Sequence, residues 1–300
     1  MHVRRVAGLV VMLGGLALAP PILAGAPDDP RLADAESWAF AIGGGHLVGD
    51  REAVGDRLGP FDLVVVDGEA VKPGEVAELQ ERGTAVLAYL TVGTIEKWRG
   101  WYDRVKRFRL EPWKAWKDEW FADVSKVRLR RIIARDIAPD LLGKGVDGLF
   151  LDAVDMIEVR RHRQQRAGMR KLVRELAELA HGQGDLLFAQ NGFWGLREFG
   201  IREHLDGWNR EDVTTRYDFG KDRYGRAPRA HRRAAMRELK RMRELGLFTT
   251  AADYTKRPRG SLYKDAIANA CAVGALPYVS DLQLRARRLP DPPLACPEVE

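Results

Sequence analysis

From residue 38 onward, short apolar runs rich in Val, Leu, Phe and Ala alternate with longer amphipathic stretches. This is the pattern of βα units repeated around a parallel sheet. Eight runs qualify as strands: residues 38–42, 63–66, 85–90, 148–151, 186–190, 205–208, 247–252 and 275–279. Between them, Met169, Leu172, Val173, Leu176, Ala177 and Ala180 fall on an i, i+3, i+4, i+7 stripe, which predicts a helix burying one face. Pro73 with Glu75 opens another helix, because proline's missing N–H has no helical partner in the first turn anyway. Gly83, Gly145 and Gly246 each stand between a helix and the next strand, where a left-handed cap carries no Cβ penalty. Eight such units over roughly 250 residues predict a single (β/α)8 TIM barrel. An open doubly wound sheet is the competing arrangement.

Two stretches break the pattern. The first is N-terminal: Arg4 and Arg5, an apolar run from residue 6 to 18, then Pro20-Pro21 and small residues to Ala26. That order predicts a secretory signal peptide over residues 1–24, cut near Ala24 to Ala26. The run is shorter than the ~20 residues of a spanning helix, so no membrane insertion is expected after cleavage, and a secreted or periplasmic location is. No composition shift divides residues 27–300, which are read as one domain. The second stretch is an insertion over residues 97–121, after the third strand, carrying Trp98, Trp101, Trp113, Trp116 and Trp120, five of the eight tryptophans. Aromatic faces can stack on sugar rings, or they can pack the insertion onto the barrel. Packing is expected for most, with Trp98 and Trp101, nearest the strand end, the first choices for stacking.

Charge narrows the function classes. The chain carries +6, and losing Arg4 and Arg5 with the leader leaves +4. Basic clusters at residues 104–109, 128–135, 160–174 and 223–243 lie mostly on amphipathic helices, so they read as solvated faces rather than a nucleic-acid footprint. Cys271 and Cys296 are the two cysteines; in an oxidising compartment they either pair or stay free, and they cannot form a thiolate metal site. The six histidines show no paired ligand spacing, the four serines lie in no G-x-S-x-G elbow, and Gly43-Gly44-Gly45 lacks the third glycine of a dinucleotide loop, where Val48 stands. No metal and no cofactor are expected.

The candidate chemistry sits after the strands. Asp67, Glu96, Asp152, Asp155, Gln190, Asn191, Asn209, Glu211, Asp253, Tyr254 and Asp281 each end or follow one of the eight runs. In a parallel barrel these positions converge on one mouth. Carboxylates with amides and aromatics equip such a mouth for acid/base work on a neutral, hydroxyl-rich substrate. A single such residue is more simply a turn or N-cap residue; a series around the ring is not.

Several segments are also recognisable: residues 88–96 (AYLTVGTIE), 144–155 (KGVDGLFLDAVD), 190–192 (QNG), 206–211 (DGWNRE), 252–254 (ADY) and 274–280 (GALPYVS). Together they closely resemble glycoside hydrolase family 114, the endo-α-1,4-polygalactosaminidase family, over nearly the whole chain after the leader. The resemblance implies a cofactor-free barrel that cleaves α-1,4-linked galactosamine polymers internally; a monomer whose partner is a polysaccharide substrate is expected. The resemblance places the catalytic pair at Asp152, as nucleophile, and Glu211, as acid/base. Asp67, Tyr89, Glu96, Asp155, Asn191, Asp253 and Tyr254 are then expected to hold sugar hydroxyls or an amino group. Thr94 departs from the family pattern, replacing the first of two acids of which Glu96 is the second. That departure leaves open a different or acetylated sugar, and motivates a non-catalytic carbohydrate-binding barrel as the alternative. A deacetylase or lyase at the same mouth is a third, weaker option, since no histidine stands at a strand end beside a carboxylate.

Overall fold

The structure is a computed structural model and describes residues 29–43, 54–285, 289–290 and 292–297. The expected leader, residues 1–24, and Gly44, Gly45 and Val48 of the glycine-rich loop lie outside the described residues. Eight strands form one sheet in sequence order: β1 (Trp38–Ala41), β2 (Leu63–Asp67), β3 (Ala85–Thr91), β4 (Gly148–Asp152), β5 (Leu186–Gln190), β6 (Gly207–Glu211), β7 (Phe248–Tyr254) and β8 (Leu276–Ser280). Every neighbouring pair is parallel. The ring is nearly closed. Between β1 and β8 the indole Nε1 of Trp38 donates to Leu276 O at 2.9 Å, the Trp38 and Tyr278 rings lie 5.4 Å apart, and Gly43 N donates to Leu284 O at 3.0 Å just beyond the strand ends. The doubly wound alternative is thereby excluded.

Local causes match the sequence pattern. Helix α1 (Pro73–Glu81) starts at the proline, and Glu75 reaches back to accept from Lys72 N at 2.9 Å, satisfying an orphan donor. Helix α2 (Arg166–His181) buries all six residues of the predicted stripe. Gly83, Gly145 and Gly246 have φ of 86°, 85° and 88°, the left-handed region that turns each helix into the next strand. Helices α3 (Arg229–Glu244) and α4 (Ser261–Cys271) cover β7 and β8. Cys271, at the end of α4, is bonded to Cys296 with Cα atoms 5.4 Å apart, fastening the tail at the end of the barrel where β8 begins.

Two excursions stand on the carboxyl ends of the strands. After β3, residues 94–122 form a three-stranded antiparallel sheet from Thr94–Glu96, Arg109–Pro112 and Glu119–Ala122. Two of its tryptophans pack within it: Trp113 lies 5.7 Å from Phe121, and the Trp120 ring carries the Arg109 guanidinium at 4.4 Å. After β6, Thr215–Asp218 and Arg223–Arg226 make a hairpin that the polar sequence there did not predict.

Two strand boundaries differ from expectation in an informative way. The sixth strand was expected at residues 205–208 and runs from Gly207 to Glu211. Asn209 is fully buried inside it, because its amide bonds neighbouring strands instead of a turn. The seventh extends through Asp253 and Tyr254. Polar residues at the mouth end continue the ladder where apolar patterning alone would stop it.

Candidate active site

The first residue past β4, β5 and β6 is in each case a non-glycine residue in the left-handed region: Ala153 (φ 57°), Asn191 (φ 58°) and Asp212 (φ 57°). Such conformations cost on the order of 1–3 kcal/mol each and persist where surroundings over-determine them. Here they turn the chain sharply at the mouth, where Asp152 and Glu211, the last residues of β4 and β6, line one cavity.

That cavity is about 610 Å³ and its wall includes Asp67, Tyr89, Glu96, Trp98, Arg99, Glu119, Asp152, Asp155, Asn191, Glu211, Asp212 and Tyr254. Asp152, the last residue of β4, accepts at Oδ2 from the Tyr89 hydroxyl at 2.6 Å, and at Oδ1 from Gln190 Nε2 at 3.0 Å and Ala153 N at 2.6 Å. The Gln190 amide is oriented in turn: its Oε1 accepts from Asn209 Nδ2 at 2.8 Å, and Asn209 Oδ1 accepts from Thr250 Oγ1 at 3.0 Å. A buried polar chain thus crosses from β7 through β6 and β5 to Asp152. With every member satisfied, it holds one arrangement.

Glu211, the last residue of β6, accepts from Asn191 Nδ2 at 2.8 Å and from the Tyr254 hydroxyl. Burial pushes its pKa up to about 7, and the nearby Asp152 charge adds to this against the bonds from Tyr254 and Asn191. Burial also raises Asp152, opposed by the donors from Tyr89, Ala153 and Gln190 and by the Arg99 charge. The two tyrosine hydroxyls are held well above their ordinary value by burial and by these same carboxylates, so both remain donors. The pair therefore shares one field while its members differ in their hydrogen bonds, the condition that separates an acid from a nucleophile.

More acids surround the pair. Burial first, and then neighbouring carboxylates, raise Asp155 to about 7 and both Glu119 and Asp212 to about 8. Burial raises Glu96 to about 7 even though Arg99 opposes it. Arg99 Nη1 holds both oxygens of Asp67 at 2.8 Å while its Nε donates to Glu96. Like charges buried in one cavity cannot all ionise at once, so these acids retain protons near neutral pH.

The structure brings Asp152, Glu211, Asp67, Tyr89, Glu96, Trp98, Asp155, Asn191 and Tyr254 together. Trp98 is 56% exposed at the rim. Two expected substrate residues lie elsewhere. Asp253 is only 2% exposed and forms no part of the wall; its Oδ1 accepts from Thr214 N at 2.8 Å and Thr215 N at 2.6 Å, pinning the start of the hairpin. Trp101 lies behind the wall, its ring 5.6 Å from the Arg99 guanidinium, where it backs that arginine. Arg99, Glu119, Asp212 and Phe219 also line the wall without having been singled out in the sequence, and Trp116 of the tryptophan-rich insertion joins them. Of the four, Asp212 had an available signal, as the acid directly after a strand-end glutamate.

Among the described residues no group of three or more His, Cys, Asp or Glu side chains is placed to hold a metal ion, and no helix is long and apolar enough to cross a membrane.

A parallel barrel whose strand ends gather paired carboxylates in one cavity defines a barrel glycoside hydrolase. The sequence profile of glycoside-hydrolase family GH114 matches residues 22–287, and the chain belongs to that family. Among solved structures, the glycoside hydrolase domain of PelA from Pseudomonas aeruginosa is similar, with 24% identity over 85% of this chain and 98% of that chain and a TM-score of 0.71. Ega3 from Aspergillus fumigatus, solved in complex with galactosamine, is 16% identical over 84% of this chain and 93% of that one, with a TM-score of 0.66. The α-galactosidase TtGalA from Thermus thermophilus, in complex with p-nitrophenyl α-D-galactopyranoside, is 13% identical over 80% of this chain and 57% of that one, with a TM-score of 0.53. At these identities the likeness is one of fold. No curated protein matches the sequence.

Proposed function

We propose that this glycoside hydrolase cleaves internal bonds of an α-1,4-linked galactosamine polysaccharide, with Asp152 as nucleophile and Glu211 as acid/base. The observation that carries the reading is the contrast within the pair. Asp152 accepts three directed hydrogen bonds that favour its ionised form, whereas Glu211 is raised to about 7 and keeps a proton to give the leaving oxygen. Asp152 then attacks the anomeric carbon, and the deprotonated Glu211 takes a proton from the water that releases the glycosyl-enzyme.

The cavity chemistry supports an amino sugar. Among the described residues its carboxyl groups outnumber its one buried cation, and Arg99 is already occupied by Asp67 and Glu96, although the chain as a whole is basic. A glycosyl ammonium group would relieve the repulsion that keeps these acids protonated. Glu119 pairs across the insertion sheet with Glu96 and is bonded to the Thr94 side chain, so this corner retains a second carboxyl despite the threonine. That weakens the case for a non-catalytic binding barrel.

The test is turnover of Asp152→Asn and Glu211→Gln on an α-1,4-galactosamine polymer, with fragments read by mass spectrometry. Each variant is expected to lose ~10²–10⁴-fold or more, the usual scale for a positioned acid or base. Unchanged turnover in either removes the pair. Export belongs to the same reading: residues 1–24 direct secretion, residues 27–300 are the working monomer, and N-terminal sequencing of secreted protein should begin near Ala24 to Ala26.

A further inference from the structure

The insertion sheet and the hairpin rise from the ends of β3 and β6, three positions apart in a ring of eight strands. They are therefore rooted on nearly opposite sides of the mouth. Their tips nevertheless meet. The Trp116 and Phe219 rings make an edge-to-face contact with centroids 5.6 Å apart, and both side chains line the cavity that holds Asp152 and Glu211. Between the two roots lie the ends of β4 and β5, so the contact arches over the strand that carries Asp152.

Each tip is braced from behind. Trp116 sits at the turn of the insertion, where Trp113 N donates to Glu119 O at 2.9 Å and Trp116 N donates to Trp113 O at 3.1 Å. Phe219 packs edge-on against Tyr217 at 5.1 Å, and Tyr217 against Tyr224 at 5.0 Å. Phe219 is still 47% exposed. Its ring is therefore open to a further partner beside Trp116.

We propose that Trp116 and Phe219 form a clasp that closes over the polysaccharide and retains it between cuts. This inference rests on the hydrolytic reading above for its substrate, but not for its geometry. An edge-to-face pair is a weak contact, so it can open to admit the middle of a polymer, as internal cleavage requires. Once closed it encircles the chain, and the two rings offer faces on which sugars can slide. A polymer then leaves only by reopening the clasp or by running out through it, whereas a short oligomer leaves without either. The device sets how many bonds are cut per encounter.

The experiment measures dissociation of a soluble α-1,4-galactosamine polymer and of its trimer from the whole protein, in wild type, Trp116→Ala, Phe219→Ala and the double variant. Each single variant is expected to raise the polymer's off-rate at least about fivefold more than the trimer's. The double variant should be no worse than either single one, because one contact is lost in all three. In hydrolysis, the ratio of short soluble products to new ends left on the polymer should fall in parallel. Equal effects on polymer and trimer, or effects that multiply in the double variant as two independent stacking platforms would, overturn the clasp. The expected off-rate pattern across the variants, with wild-type protein that never cuts, overturns the hydrolytic reading and leaves the clasp standing. Protein that neither holds nor cuts the polymer overturns both.

Discussion

Asn191 donates its side-chain amide to Glu211 Oε2 at 2.8 Å, and that amide is oriented from behind. Its Oδ1 accepts from Arg210 Nη1 at 3.1 Å and from Glu211 N at 3.1 Å. Arg210 is in turn fixed by Glu238 on α3 at 3.0 Å. An amide has one donor end and one acceptor end, so a cation on the oxygen leaves only the nitrogen for the glutamate. A partly buried ion pair thereby reaches the hydrogen bonding of a buried acid.

Removing this donor should be visible in the pH profile. The bond favours the ionised form of Glu211, so Asn191→Ala raises the carboxyl above its present value of about 7. Activity that needs a protonated Glu211 falls as pH rises through that value, and the alkaline limb of kcat/KM, which reports the free enzyme, should move upward in the variant. The size of the move is expected to be about half a unit to one unit, with kcat itself reduced by lost positioning. An alkaline limb that stays in place, or moves down, contradicts the assignment of Glu211 as the acid.

Arg99 is the counter-charge of the cavity, with its side chain 5% exposed and both Asp67 and Glu96 bound to it. Arg99→Met leaves two buried carboxyl groups facing each other without a cation, and breaking such a pair costs about 3–5 kcal/mol. The loss should be largest near pH 8, above the value of about 7 to which Glu96 is raised, and smaller near pH 5, where Glu96 holds a proton. Denaturant titrations at the two pH values check this; equal losses would mean that packing, not charge, is what the arginine supplies.

How far the site was legible follows from which forces the sequence pattern records. Asp67, Asp152 and Glu211 were found because apolar runs mark the strands and parallel topology puts their ends together. Asp253 has the same sequence signature, yet it faces the backbone of Thr214 and Thr215. An acid that ends a strand reads alike whether it turns to solvent, substrate or an orphan N–H. Arg99 and Glu119 were illegible for a different reason. Their burial depends on an antiparallel sheet inside the insertion, whose pairing of Glu96 with Glu119 joins positions 23 residues apart with no apolar alternation to announce it. The hairpin behind Phe219 is so rich in Arg, Lys and Asp that period-2 patterning vanished, and its strands are held by ring contacts of Tyr217 and Tyr224 instead.

The disulfide separates stability from catalysis. Cys271–Cys296 closes a loop of 25 residues, and constraining the unfolded chain by that much corresponds to ~3 kcal/mol in the entropy account. Cys271→Ser should lower the melting temperature by roughly 5–10 °C for a chain of this size. Because the bond lies at the opposite end of the barrel from the carboxylates, turnover at 25 °C should stay within about twofold of wild type. A large fall in turnover at that temperature would show that the tail acts on the mouth after all.

The acids crowded around the pair also predict how stability depends on pH. Asp212 is held at about 8 in the folded protein by burial and by the charges of Glu211 and Asp253, against ~4 in an unfolded chain. Between those two values the folded state binds more protons than the unfolded one, so stability must decline as pH rises across the window. Asp212→Asn keeps a neutral side chain of the same shape at every pH and removes this contribution. Its melting temperature should therefore match wild type near pH 4.5 and exceed it near pH 8.5, by a few degrees if the relief is on the order of 1 kcal/mol. Scanning calorimetry at the two pH values measures the difference directly. A gain of equal size at both would mean that the amide improves packing and that Asp212 carries no charge penalty, whereas a loss at pH 8.5 would mean that its carboxylate is paired rather than repelled.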